Sequence, residues 1–157
     1  MANKELGFKL TKQIEGIKRS MNRVTYETIS AIVIRLDEVS PVADAMLWKN
    51  PDPKYVGGQF RGNWQLGVDK RPIGWLPGNI DPTGGETVAK NLGTIPVMAS
   101  RHTYYLLNNT PYGRYLEDGS VKMCVYPHAF VYRVKREVNG IVRQIAAQIK
   151  SEGGRVK

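Results

Sequence analysis

The chain has 157 residues, the length of one ordinary domain, and its 23 Lys and Arg against 14 Asp and Glu give a net charge of +9. A domain of this size buries about 68–70% of its unfolded surface, so it needs no disulfide or metal to fold. The single cysteine, Cys124, excludes an intrachain disulfide and fits a reducing compartment. No apolar run approaches the ~20 residues of a membrane span and the first residues lack the apolar segment of a secretory signal, so we expect a soluble protein that is cytoplasmic during synthesis.

The excess positive charge is concentrated towards the two ends of the chain. Residues 1–36 sum to +4 and residues 132–157 sum to +5, whereas residues 37–131 are neutral. Such an asymmetry favours a polyanionic partner, either nucleic acid or an acidic protein surface. Two solvated helix faces would give the same distribution, so both interpretations stay open.

The first predicted element is a long amphipathic helix over residues 5–38. Ser40-Pro41 ends it, because the residue before a proline is disfavoured in the α region. About 32 residues would reach roughly 48 Å, so this helix must lie across a sheet or pack against another subunit. Apolar or small residues recur at alternating spacings of four and three, a helical period: Leu10, Ile14, Ile17, Met21, Val24, Thr28 and Ala31.

A loop rich in Pro and Gly over residues 41–57 leads to a predicted strand. Alternation places five residues on its buried face: Phe60, Gly62, Trp64, Leu66 and Val68. The same alternation places three residues on the opposite face: Arg61, Asn63 and Gln65. Trp64 is therefore expected in the core.

A second irregular stretch, residues 70–85, precedes a short predicted helix at 86–92 and a strand at 102–107. Thr110 then suits a helix N-cap and Pro111 the first helical position, and Gly119 suits the left-handed residue that ends the turn. The tyrosines of this turn, Tyr112 and Tyr115, are expected to be half-buried.

Residues 120–127 are predicted to form a loop or an edge strand, and 129–149 an amphipathic helix. We therefore expect an α+β fold, in which a small, mostly antiparallel sheet is packed by a long N-terminal helix and a C-terminal helix. The whole chain, 1–157, forms one predicted domain. Its parts are a helix (1–38), a sheet with long loops and a short helix (39–128), a C-terminal helix (129–150) and a tail (151–157).

The sequence offers no convergent set of catalytic, metal-binding or cofactor-binding residues, so we expect neither an enzyme nor a cofactor. Cys124 and His128 could form a thiol–imidazole pair or half a metal site, but a structural zinc site needs four ligands. Cys124 is better interpreted as a small, inert apolar residue. We expect Glu117 to form a salt bridge or hydrogen bond near Arg61 or Arg114.

Two loop tryptophans and one row of cations are the candidate interaction sites. Trp48 and Trp75 lie in the two irregular stretches, where aromatic side chains favour interfaces, although each could instead cover its own loop. Arg136, Arg143 and Lys150 recur every seven residues on a polar face of the last predicted helix. This row is a possible basic face towards DNA or a protein partner.

Three segments carry a resemblance to a known family. Asn108–Gly119 fits the pattern Asn-x-x-x-Tyr-Gly/Ala-x-x-Leu/Val-Glu-x-Gly, Gly58–Trp64 fits Gly-x-Leu/Phe-Arg-x-Asn/Ser-Trp/Ile, and Pro127–Phe130 fits Pro-x-x-Phe/Met. Together they resemble the neck and tail-completion proteins of tailed bacteriophages, the minor tail protein Z type. The chain departs from the family because residues 43–57 separate Ser40-Pro41-Val42 from Gly58, and because the Asp-Thr that usually precedes this glycine in the family is missing.

The resemblance implies a structural virion protein that joins a finished tail to a DNA-filled head. Its implied partners are other neck and tail proteins, namely the head–tail connector and the tail tube or terminator. It further implies a homo-oligomeric ring, expected to be six-fold, that surrounds genomic DNA without reading its sequence. The motif positions implied to matter are Arg61, Asn63, Trp64, Tyr112, Tyr115, Glu117 and Gly119. A tail terminator that caps the tail tube and a non-specific nucleic-acid-binding protein are the alternatives.

Overall fold

The computed structural model describes residues 2–43, 56–122 and 124–153, with side chains from residue 7 to residue 152. It has the predicted α+β fold. The elements in chain order are α1 (Ala2–Val39), α2 (Gln59–Gly62), β1 (Trp64–Val68), α3 (Gly85–Gly93), a 3₁₀ turn (Ala99–Arg101), β2 (Tyr104–Asn108), α4 (Gly113–Asp118) and α5 (Phe130–Gly153).

The two long helices, α1 and α5, lie side by side and run antiparallel. Arg35 of α1 donates to Glu137 near the start of α5 at 2.7 Å, and Arg23 of α1 pairs with Glu152 near the end of α5. Successive turns of α1 therefore meet α5 in reverse order. The helix ends as predicted, where the Ser40 hydroxyl donates to the Leu36 carbonyl at 2.6 Å.

The sheet consists of β1 and β2, which pair antiparallel with Trp64 opposite Asn108 and Val68 opposite Tyr104. The other edge of β1 is closed by a side chain from α3. The Asn91 carboxamide donates to the Trp64 carbonyl and accepts from the Leu66 N–H, both at 2.9 Å. One side chain thus replaces a third strand at this position, because buried backbone groups need partners.

The C-terminal half of α1 lies between two clusters of buried side chains. The first cluster joins α1 to α2, β1 and α5: Leu36, Phe60, Trp64, Phe130 and Val134. The second joins α1 to β1 and the segment around α3 and the 3₁₀ turn: Val33, Leu66, Ile95 and Ala99. This half of α1 therefore lies across the sheet, as one of the two sequence-based alternatives requires.

The predicted strand at residues 60–68 is too long at its N-terminal end. Gly58, with φ of 106°, turns the chain so that the Gly62 N–H donates to the Gly58 carbonyl at 2.8 Å, and Gln59–Gly62 form α2 instead. Asn63 is fully buried and does not lie on a solvent face. Its carboxamide donates to the Leu76 carbonyl and accepts from the Leu76 N–H.

The predictions for the short helix α4 are partly confirmed. Gly119 ends the helix with a positive φ of 79°, as predicted, but its ψ of 168° lies outside the left-handed helical region expected for it. The Thr110 cap is wrong, because the Thr110 hydroxyl donates to the Asn108 side chain at 2.9 Å and α4 starts three residues later. Tyr112 is half-buried as predicted, whereas Tyr115 is exposed.

Candidate functional site

The three segments that carry the family resemblance meet around the ring of Phe60. Its centroid lies 6.0 Å from that of Trp64, 6.2 Å from Tyr112 and 5.0 Å from Phe130. Each ring comes from a different element, namely β1, the turn into α4, and α5. The first segment, Gly58–Trp64, is distant in sequence from the other two, and the rings form one aromatic junction of edge-to-face and tilted pairs, as is common in cores.

Hydrogen bonds connect the same segments beside the rings. The Asn108 carboxamide donates to the Phe60 carbonyl at 2.7 Å, which ties the end of β2 to α2. The Tyr112 hydroxyl donates to the Gln59 side chain at 3.2 Å. These bonds explain why Asn and Tyr residues suit these positions without assigning them a ligand.

Arg61 connects three segments through its guanidinium group. It donates to the Ser40 carbonyl at 3.0 Å and to the Pro82 carbonyl at 2.8 Å, and its Nε lies 3.8 Å from the Asp37 carboxylate. Asp37 is buried, and burial raises its pKa to about 6 despite the opposing effect of Arg61, with Asp81 and Glu38 adding repulsion. The Arg61 side chain is an internal tie between α1, α2 and the loop before α3.

Glu117 does not pair with Arg61 or Arg114, so that prediction is wrong. Its two carboxylate oxygens accept the backbone N–H groups of Val131 and Tyr132 at 3.0 Å each. The first N–H groups of a helix have no partner within the helix and attract a carboxylate. Glu117 on α4 therefore caps α5, while Arg114 pairs with Asp118 at 3.3 Å.

The motif residues thus form internal connections, with Tyr115 as the exposed member. Asn63 and Trp64 are buried, and Gly119 packs so closely on Pro127 that a Cβ atom would lie 2.9 Å from its ring. Surfaces for partners must come from other residues.

The first such surface is the N-terminal part of the α1 stripe. Four of its apolar side chains are between 43% and 60% exposed: Leu10, Ile14, Ile17 and Met21. The remaining stripe residues, from Val24 onward, are half-buried. A contiguous exposed apolar surface on a protein typically marks an interaction site.

The second surface is the predicted basic row on α5. Arg136, Arg143 and Lys150 are all exposed, on the opposite side from the buried Phe130 and Val134. Their spacing of seven residues corresponds to steps of about 10.5 Å along the helix. The Arg136 guanidinium also lies 5.8 Å from the centroid of the Tyr132 ring. The helix therefore offers regularly spaced cations to a partner.

The structure describes one of the two loop tryptophans that are candidate interface residues. Trp75 is half-buried, and Trp48 lies outside the described residues together with most of the insertion between Val42 and Gly58. Sequence reasoning missed four strongly exposed apolar side chains at loop tips: Ile73, Val97, Val121 and Tyr126. They follow no periodic pattern, so nothing in the sequence singles them out.

Acid–base chemistry is sparse in the described part of the chain. Cys124 and His128 are both exposed, and the His, Cys, Asp and Glu side chains described do not gather in threes around a possible metal ion. Asp69 accepts from the Thr103 N–H at 2.9 Å and contacts His102 Nδ1 at 2.6 Å. The hydrogen bonds to His102 and Thr103 hold the pKa of Asp69 below its usual value. They connect the end of β1 to the start of β2.

None of the described helices combines the length and the apolar character that crossing a membrane requires. Comparisons with protein-family models, with curated proteins and with solved structures found no match.

Proposed function

We propose that this protein is a structural virion protein of a tailed phage, a neck or tail-completion component that joins the tail to the DNA-filled head. The observation that carries the proposal is the junction around Phe60. The Gly58–Trp64 segment, distant in sequence from the other two segments that resemble the family, contacts both of them through the rings of Phe60, Tyr112 and Phe130. Segments of one structural signature are expected to meet in this way.

The exposed surfaces support an assembly role for this chain. An exposed apolar stripe on α1 offers area for other virion proteins, and the basic row on α5 offers cations to a polyanion. Such cations would suit the DNA that passes through a neck, because their contacts to phosphates would carry no sequence information. The proposed location is the neck of the virion.

The experiment that tests the proposal is an in-frame deletion in the phage genome that carries this chain, followed by electron microscopy of the lysate. DNA-filled heads beside complete, detached tails are expected. Complementation with the wild-type chain should restore joined particles. Infectious particles of normal appearance after the deletion would refute the joining role. Complete heads beside tails of uncontrolled length would replace it with the tail-terminator alternative.

Non-specific nucleic-acid binding is the second candidate because of the row Arg136, Arg143 and Lys150. The affinity of the purified protein for duplex DNA, measured at several salt concentrations, distinguishes a DNA-binding protein from a neck protein. A primary DNA-binding protein should bind tightly, with affinity that falls steeply as salt rises. A neck protein should bind free DNA weakly at physiological salt, because contacts from one subunit are few.

A further inference from the structure

The N-terminal half of α1 extends beyond the helix that covers the rest of it. Glu152, at the end of α5, is level with Arg23 of α1. The 20 residues before Asn22 therefore continue past α5 by about 30 Å, at 1.5 Å per residue. Over this length the apolar stripe from Leu10 to Met21 has no cover from the described residues.

This extension is a weak helix by itself. It contains Gly7 and Gly16, and neither glycine has another atom close to where a Cβ would lie, so tight packing does not require them. Glycine in a helix interior is less favourable than alanine, and most helical stability in proteins comes from the packing of an apolar face. A packing partner along the stripe would stabilise it.

The stripe has the spacing of a coiled-coil seam. Leu10, Ile14, Ile17, Met21 and Val24 alternate at four and three residues, which places them at the a and d positions of heptads. The two flanks of the seam are occupied by mostly uncharged side chains: Thr11, Gln13, Lys18, Ser20 and Thr25. The other charged residues in this region lie at the outer positions: Lys9, Lys12, Glu15, Arg19 and Arg23.

This distribution of charge favours one occupant. An acidic partner would be selected by cations on the flanks of the seam, but Lys18 is the one cation there. A second copy of the chain presents the same uncharged flanks, and its cations lie on the outer side of the pair. Two such helices can approach with little like-charge repulsion at close range.

We propose that the stripe from Leu10 to Val24 is the surface through which two copies of this chain associate, with α1 packed against α1. The inference goes beyond the proposed function and holds for any assembly role, because the same stripe on both copies makes a closed two-fold contact, whereas a ring needs contacts between different surfaces. A single helix pair of this length buries less than the ~800 Å² per partner of a stable complex. Association is therefore expected to depend strongly on protein concentration.

The salt dependence of association distinguishes this occupant from an anionic one. Residues 7–23 carry five Lys and Arg against one Glu, so two copies repel each other weakly at long range. Salt screens that repulsion, so a higher salt concentration should strengthen self-association. Binding to DNA or to an acidic protein would weaken under the same change.

The test is sedimentation equilibrium of the full-length protein over a concentration series, at low and high salt. The wild type is expected to self-associate, more strongly at high salt. Ile17→Asp and, separately, Ile14→Gln should raise the dissociation constant about tenfold or more, because each places a polar group in the seam. Lys12→Gln, on the outer face of the same helix, is the matched control and should leave association as strong as in wild type or slightly stronger.

Two results would overturn the inference. One is a wild type that stays monomeric up to high micromolar concentration. The other is association that persists unchanged in both Ile variants while their thermal unfolding matches the wild type. Neither result would contradict the joining role tested by the genome deletion, since a neck protein can act through other contacts. Normal particles after that deletion would likewise not contradict self-association through the α1 stripe.

Discussion

At the scale of single residues, the carboxylate of Asp37 is buried where its charged form is disfavoured. Gly84 packs so closely on it that a Cβ there would lie 1.8 Å from a carboxylate oxygen. Arg61 is the facing cation, while Asp81 and Glu38 are the facing anions. Burial is the largest effect on the carboxylate and raises its pKa from 3.8 to about 6.

The raised pKa of Asp37 has a defined consequence for stability. The folded state binds the proton more tightly than the unfolded state, so the contribution of protonation is fully present below about pH 3.8 and is lost as pH rises through about 6. The wild type should therefore gain about 1 kcal/mol relative to Asp37→Asn as the pH falls from about 7.5 to about 5. Urea unfolding of both proteins at several pH values measures the difference.

The comparison between the two proteins removes the other acids from the measurement. The pKa values of Asp69, Glu137 and Glu152 are lowered by their partners, and these groups destabilise wild type and variant equally as pH falls. A difference in stability that stays constant across this range would contradict the raised pKa of Asp37.

At the scale of elements, Glu117 is the link between α4 and α5. Its carboxylate satisfies two N–H groups of the first turn of α5, and the neighbouring His128 and Ala129 N–H groups bond to the Leu116 and Glu117 carbonyls. A short helix thereby fixes where a long one begins. The arrangement also aligns Phe130 with the aromatic junction.

Replacement of Glu117 by Ala should lower the free energy of unfolding by about 1–2 kcal/mol, as the loss of a helix cap does. Glu117→Gln keeps one acceptor and should cost less. Asp118→Ala is the matched control, because Asp118 is exposed and pairs only with Arg114 within one turn. Chemical denaturation gives the three values, and equal stability of the Glu117 and Asp118 variants would exclude the capping role.

Periodicity explains which elements were predictable from the sequence. The 3.6-residue stripe of α1 and α5 and the apolar run of β2 depend on residues close in sequence, so their patterns are local. The short helix α2 depends on the turn at Gly58 and on the bond between Asn63 and Leu76, thirteen residues away. Alternation over residues 60–68 therefore predicted β1 correctly from Trp64 onward, but it extended the strand into residues that form α2.

The candidate surfaces divide in the same way. The basic row on α5 follows from a seven-residue spacing, and its exposure is confirmed. The sequence also indicates that α1 is too long for the domain, but not which half lacks cover. Which half is covered depends on where α5 ends relative to Arg23, and this is determined by how α1 and α5 pack together. Glu117 was assigned the wrong partner because the N–H groups that donate to its carboxylate belong to another helix, α5.

At the scale of the whole molecule, the chain divides into a packed body and a projecting helix. The α1 members of both core clusters lie between Ile29 and Val39. Further towards the N-terminus, the Asn22 side chain bonds Ser100 and Arg23 pairs with Glu152. In the proposed association, core packing and self-association therefore use different halves of one helix.

This division predicts that deletion of residues 2–20 leaves the melting temperature within about 2–3 °C of wild type, since no core contact is lost. Deletion of residues 2–28 is the matched contrast. It also removes Asn22 and Arg23 with their bonds, and should lower the melting temperature several degrees further. Differential scanning calorimetry with near-ultraviolet circular dichroism follows both. A large loss of stability in the shorter deletion would mean that the projecting half belongs to the folding unit, because exposed side chains alone cannot account for it.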